Sequence, residues 1–103
     1  MATITVRSFT AHVDNKDDAS RQFNIESDVK VVNGNVDTIT GGRVTTKDSP
    51  NGMDNIATFD NVMSPKRIDI FDLEADDMAV YQAINDFNTS TKAYFAANPA
   101  TEN

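Results

Sequence analysis

Nine Val and seven Ile stand against a single Leu in this 103-residue chain. β-Branched side chains lose rotamer freedom against the preceding turn of a helix and pack well on a pleated surface, whereas helical bundles are built largely on Leu. The apolar inventory therefore points to a sheet. Val, Ile, Leu and Phe together supply 23 residues, just above the roughly 20 % below which a chain cannot bury enough apolar area to offset its ordering entropy. With a mean hydropathy of −0.45, the expectation is a folded domain with a thin core, and a chain of this length supports one such core.

Alternation locates the strands. Over residues 3–13, Ile4 and Val6 fall on one face and Phe9, Ala11 and Val13 on the other, a slip near Ser8 that a bulge or bend would absorb. Residues 14–20 have no apolar period and are rich in side chains that bond their own backbone, so they read as a loop. Alternation resumes over 21–32 through Phe23, Ile25, Val29 and Val31. Asn33-Gly34-Asn35 supplies residues tolerant of positive φ, and residues 36–46 continue through Ile39, which makes a β-hairpin. Gly41-Gly42 interrupts its second arm and reads as a bulge or sharp bend, because no helix start follows to make a phosphate loop. Residues 47–54 form a turn-rich connection, and 56–63 and 67–71 are two further short strand candidates.

After Asp72 the period changes. Met78, Tyr81, Ile84 and Phe87 recur every three residues with Val80 beside them, and Tyr94 and Phe95 continue the stripe. That spacing predicts a helix, either continuous or broken at Asn88-Thr89-Ser90-Thr91, that ends at Asn98-Pro99. The expected fold is α+β: an antiparallel β-meander of about five strands with a C-terminal helix packed on one face, as a single domain over 1–98 with a short tail at 99–103.

Composition also narrows the chemistry. The chain has no Cys and one His, which removes disulfides, thiolate metal sites and cysteine nucleophiles. His12 lies opposite Ala11 and Val13 in a strand candidate and reads as a solvent-facing residue, since no motif supplies a nucleophile beside it. Asn33, Asn35 and Asp37 match the first alternating ligand positions of a helix–loop–helix calcium site, but Thr38 stands where glycine is needed and Val44 where the bidentate Glu is needed. Asp14, Asp17 and Asp18, or Asp48 and Asp54, could still contribute to an irregular cation site, though turn formation explains them as well. The expectation is no enzyme, no cofactor, no metal and no small-molecule substrate.

Charge is the most distinctive feature. The net charge is −7 and it is unevenly placed: residues 53–103 carry nine acidic and three basic side chains, against seven and six in residues 1–52. Asp69, Asp72, Glu74, Asp76, Asp77 and Asp86 follow one another over 69–86 with no base among them. Carboxylates at 72–77 would cap and charge the start of the helix. The same six residues are the candidate partner-binding surface, because an acidic patch attracts a basic partner and repels phosphate backbones and anionic lipid. This disfavours direct nucleic-acid binding. No run approaches the ~20 apolar residues of a membrane span, and the first residues lack a secretory pattern, so a cytoplasmic location is expected.

The functional expectation is a small non-enzymatic interaction or structural module, an accessory or assembly protein of viral or mobile-element type, with a protein partner or self-association. The alternative is an inhibitor or nucleic-acid mimic whose acidic surface blocks a basic site on another protein.

Overall fold

The computed structural model describes residues 3, 7–47, 55–61, 67–73 and 75–98. Five strands run in chain order, β1 (Ser8–Asp14), β2 (Phe23–Val32), β3 (Asn35–Thr46), β4 (Asn55–Asp60) and β5 (Arg67–Ile70), followed by one helix, α1 (Asp77–Ala97). Each strand pairs antiparallel with the next, so the sheet order is the chain order. The expected α+β meander with a helix on one face is the observed architecture. The alternation slip before Ser8, the 48–54 connection, residues 62 and 63 of the fourth strand candidate and the 99–103 tail lie outside the described residues.

The β2–β3 hairpin closes on Asn33 (φ 51°) and Gly34 (φ 82°), the two successive positive φ angles of a two-residue turn whose twist matches the strands. β3 then solves a parity problem. Val36, Ile39 and Val44 are spaced by three and five residues, odd steps that would throw Ile39 to the opposite face of a regular strand. Two register shifts against β2 each insert one extra β3 residue, one between Val36 and Thr38 and one between Thr40 and Arg43. All three apolar side chains thereby face the core. The second shift is the bulge expected at Gly41-Gly42. Gly41 takes φ +60°, and a Cβ on Gly42 would stand 2.5 Å from the Phe59 carbonyl oxygen and 2.6 Å from its ring, closer than any side chain can approach. A third shift, in β4, makes Ile56 and Ala57 consecutive buried residues.

Asn61 repairs the ladder where β4 stops short of the first half of β3. Its Oδ1 accepts from Ile39 N–H (2.6 Å) and its Nδ2 donates to the Asp37 carbonyl (3.2 Å), while its own N–H donates to the Ile39 carbonyl (3.1 Å). The side chain takes the place of a strand's backbone beside the bulge at Asp37, which keeps these groups satisfied.

Asp76 starts α1, its side chain accepting from Ala79 N–H at 3.3 Å, with Asp77 in the first turn. Such a cap contributes about 1 kcal/mol. The helix is continuous through Asn88-Thr89-Ser90-Thr91, because Thr91 turns inward, is buried, and its hydroxyl donates to the Phe87 carbonyl at 2.8 Å. Asn98 closes it: its backbone N–H donates to the Phe95 carbonyl (3.2 Å) and its Nδ2 to the Tyr94 carbonyl (2.8 Å).

The buried helix face is Val80, Ile84, Phe87, Thr91 and Phe95, steps of three and four. This corrects the stripe expected from the sequence. Met78 is 76 % exposed and Tyr81 41 %, because a repeat of strictly three drifts round a 3.6-residue helix and leaves the core within two turns, and Tyr94, 53 % exposed, lines the open cleft beside β1. Two edge-to-face ring pairs seat the helix on the sheet, Phe59–Phe87 with centroids 6.4 Å apart and Phe9–Phe95 at 5.8 Å.

Truncating Ile84 to Ala should cost about 2–5 kcal/mol in urea unfolding, as for other buried aliphatics. Met78→Ala should fall within about 0.5 kcal/mol of the native chain. Gly42→Ala should destabilise by about 1–3 kcal/mol through the clash with Phe59; a neutral result would mean that the β3–β4 approach is looser than described.

Candidate functional site

The five described carboxylates of the acidic run, Asp69, Asp72, Asp76, Asp77 and Asp86, are divided among three surfaces. Asp69 alternates with the inward Ile68 and Ile70, so it stands on the outer face of β5, where Arg67 Nε lies 2.8 Å from its Oδ2. Asp86 follows Asp77 by nine residues, half a turn round the helix, and accepts from Gln82 Nε2 at 2.9 Å. Asp72, Asp76 and Asp77 remain together at the junction of β5 and α1, where the Asp72 carbonyl accepts from Ala75 N–H (3.1 Å). Glu74 lies outside the described residues.

The junction holds a second feature that charge counting missed. Phe71 is 53 % exposed and Leu73, the only leucine of the chain, 101 %. With Met78 and Tyr81 they make four large apolar side chains turned to solvent within eleven residues, interleaved with the three carboxylates. Exposed apolar residues gathered in this way are the usual mark of an interaction surface. The signal was present in the sequence as a Leu and a Met beside acidic residues, but periodicity alone assigned Met78 and Tyr81 to the core.

A second cluster lies on the outer face of the sheet. Register places His12 opposite Asp28, and Glu26 opposite Arg43. His12 Nδ1 donates to Asp28 Oδ1 at 2.7 Å, and Nε2 lies 3.7 Å from Glu26 Oε1. Glu26 Oε2 is in turn 3.6 Å from Lys16 Nζ and 3.8 Å from Arg43 Nε. His12 is 53 % exposed, solvent-facing as expected. The geometry is that of a cross-strand polar network on an exposed face, worth little per exposed pair.

Beside this network, an open cleft of about 930 Å³ separates β1 and the 15–22 loop from the near flank of α1. Its floor is Ala11, Val13, Phe23 and Ile25, and small Ala79 and Ala83 form part of the helix wall. Hydrogen bonds hold the loop that closes one side. Asn15 Oδ1 accepts from Ile25 N–H and its Nδ2 donates to the Phe23 carbonyl, each at 2.9 Å. Arg21 donates through Nε to Asn24 Oδ1 (2.6 Å) and through a terminal nitrogen to the Asp18 carbonyl (3.0 Å).

Asp14 and Asp18, two of the aspartates weighed for a cation, accept hydrogen bonds within this loop. Asp14 accepts from Lys16 N–H (2.9 Å), and Asp18 accepts from the N–H (2.9 Å) and the hydroxyl (2.6 Å) of Ser20. Among the described residues no group of three His, Asp or Glu side chains is arranged to hold a metal ion, and Asp48 and Asp54 lie outside them. No described helix is long and apolar enough to cross a membrane. Compared with known families, curated proteins and solved structures, the chain matches none.

The Ser20 hydroxyl, then the Ser20 N–H, and more weakly the charges of Arg21 and Lys47 hold the Asp18 carboxyl below its usual range. A carboxylate depressed in the folded state stabilises it above the unfolded pKa, and that contribution is lost as pH falls through the folded value. Ser20→Ala should therefore raise the Asp18 titration midpoint toward the ordinary carboxylate value, read from its carboxyl carbon shift by NMR. An unmoved midpoint would show that the hydroxyl is not the main cause.

Proposed function

We propose that this chain is a non-enzymatic interaction module that docks a basic protein partner through the β5–α1 junction. The observation that carries the proposal is that Phe71, Leu73, Met78 and Tyr81, all exposed, fall within eleven residues of chain that also hold Asp72, Asp76 and Asp77. Apolar anchors supply the area that gives affinity, and the surrounding carboxylates speed encounter with a cationic surface and select against anionic ones. An accessory or assembly role fits a small domain of this kind, and a viral or mobile-element origin accords with its size and layout.

The alternative, a nucleic-acid mimic or inhibitor acting through all six carboxylates, gains less support. A mimic needs charges laid along one face, whereas Asp69 stands on the outer face of β5 and Asp86 half a turn round the helix from Asp77. A partner held by the junction should lose affinity with salt only in part, because the apolar contact is not screened.

Two double variants separate the components. Leu73→Ser with Met78→Ser removes the apolar anchors, and Asp76→Asn with Asp77→Asn removes two charges while asparagine keeps the cap. With the full chain as bait in extract from its native source, the apolar variant should lose a partner that the native chain recovers. The amide variant should recover it more slowly and with a reduced dependence on salt. Equal recovery by the native chain and the apolar variant would overturn the proposal.

A further inference from the structure

The two edges of the sheet are treated differently. β5 is four residues long, and its outer face carries Arg67 and Asp69, the short charged form in which an edge resists further pairing. β1 has seven residues, Ser8-Phe-Thr-Ala-His-Val-Asp14, with no Lys, Arg, Pro or Gly. Its register against β2 is unbroken along its whole length. Among the described residues no bulge, proline or lysine blunts this edge.

The free hydrogen-bonding groups of β1 can be assigned. Asn33 N–H donates to the Arg7 carbonyl and Asn15 N–H to the Ile25 carbonyl, so the odd-numbered residues of β1 direct their backbone groups toward β2. Ser8, Thr10, His12 and Asp14 therefore direct theirs outward, and among the described residues no strand lies on that side. Burial fails at the same line. Val29 and Val31 of β2 are 2 % and 0 % exposed, whereas their β1 neighbours Ala11 and Phe9 are only half-buried.

We infer that β1 pairs antiparallel with β1 of a second copy of this chain, with the twofold axis at Ala11, to make one continuous ten-stranded sheet. The occupant is argued from self-complementarity. An outward bond needs an even residue opposite an even residue, and centring on Ala11 aligns all seven positions: Ser8 with Asp14, Phe9 with Val13, Thr10 with His12. On the core face, Phe9 meets the second copy's Val13, and Ala11 meets itself at a non-hydrogen-bonded position, where side chains stand closest and a methyl group fits. On the outer face no two like charges are opposed. Centring instead on His12 would place two imidazoles opposite one another and shorten the overlap. This surface is distinct from the β5–α1 junction, so the inference stands or falls apart from the proposed function.

The chain has no native cysteine, which makes the register directly testable. Ala11→Cys should form a disulfide-linked dimer under mild oxidation, because the two sulfurs would face each other across the axis. Ser8→Cys should not, since its equivalents would lie at opposite ends of the paired strands. Sedimentation of the native chain over a range of concentrations should show a monomer–dimer equilibrium. Thr10→Pro removes an outward N–H without touching the β1–β2 ladder and should weaken that equilibrium roughly tenfold or more, with the far-ultraviolet circular dichroism unchanged. If Thr10→Pro fails to fold, the two cysteine variants decide alone. A native chain that stays monomeric up to about 1 mM, or Ser8→Cys linking as readily as Ala11→Cys, would overturn the inference.

Discussion

The fold rests on one seam, the inner face of the sheet against Val80, Ile84, Phe87 and Phe95 of α1. A meander of this size has no second sheet to cover it, and an uncovered Val/Ile face in water would not repay the ordering of the strands. The seam in turn requires every strand to present its apolar side chains in one direction. β3 meets that requirement only through its two bulges, which bring Val36, Ile39 and Val44 to the same side. Gly41 and Gly42 are present because one accepts a positive φ and the other leaves room for Phe59.

Once the seam is formed, the remaining surface sorts by what the helix can reach. α1 packs over β2 and β3 and reaches β5, and it meets β1 through Phe9 and Phe95. The rest of β1 borders an open cleft. At the other end, the few residues that join β5 to α1 leave Phe71 and Leu73 in solvent with the first exposed turn of the helix. A partner surface at the junction and an unpaired edge at β1 are thus both consequences of one helix covering a five-stranded sheet.

Three asparagines show how much of the structure is invisible to composition. Asn15, Asn24 and Asn61 each use both ends of the side-chain amide to bond groups on neighbouring segments, Asn24 donating to the Thr46 carbonyl at 3.1 Å while accepting from Arg21. In sequence Asn15 reads as a loop residue, and Asn24 and Asn61 fall inside strand candidates. Apart from Arg21, three residues before Asn24, the groups they bond lie 8 to 24 positions away, which no local pattern can indicate. The same distance separates His12 from Asp28 and explains why a histidine read correctly as exposed was not read as ion-paired.

Short-range patterns determined the strands, the Asn33-Gly34 turn, the bulge at the glycine pair and a helix start within the acidic residues 72–77, because alternation, positive φ and amide capping are properties of a few consecutive residues. Tertiary structure decided which arc of the helix is buried: Met78 and Tyr81 start the apolar repeat in sequence, but the sheet covers the arc of Val80, Ile84, Phe87, Thr91 and Phe95, from which a three-residue repeat drifts away. It also decided how the acidic run is divided. Neighbours in sequence diverge when one lies on a strand face, another at a helix cap and a third half a turn round the helix, so charge that is contiguous along the chain need not be contiguous in space.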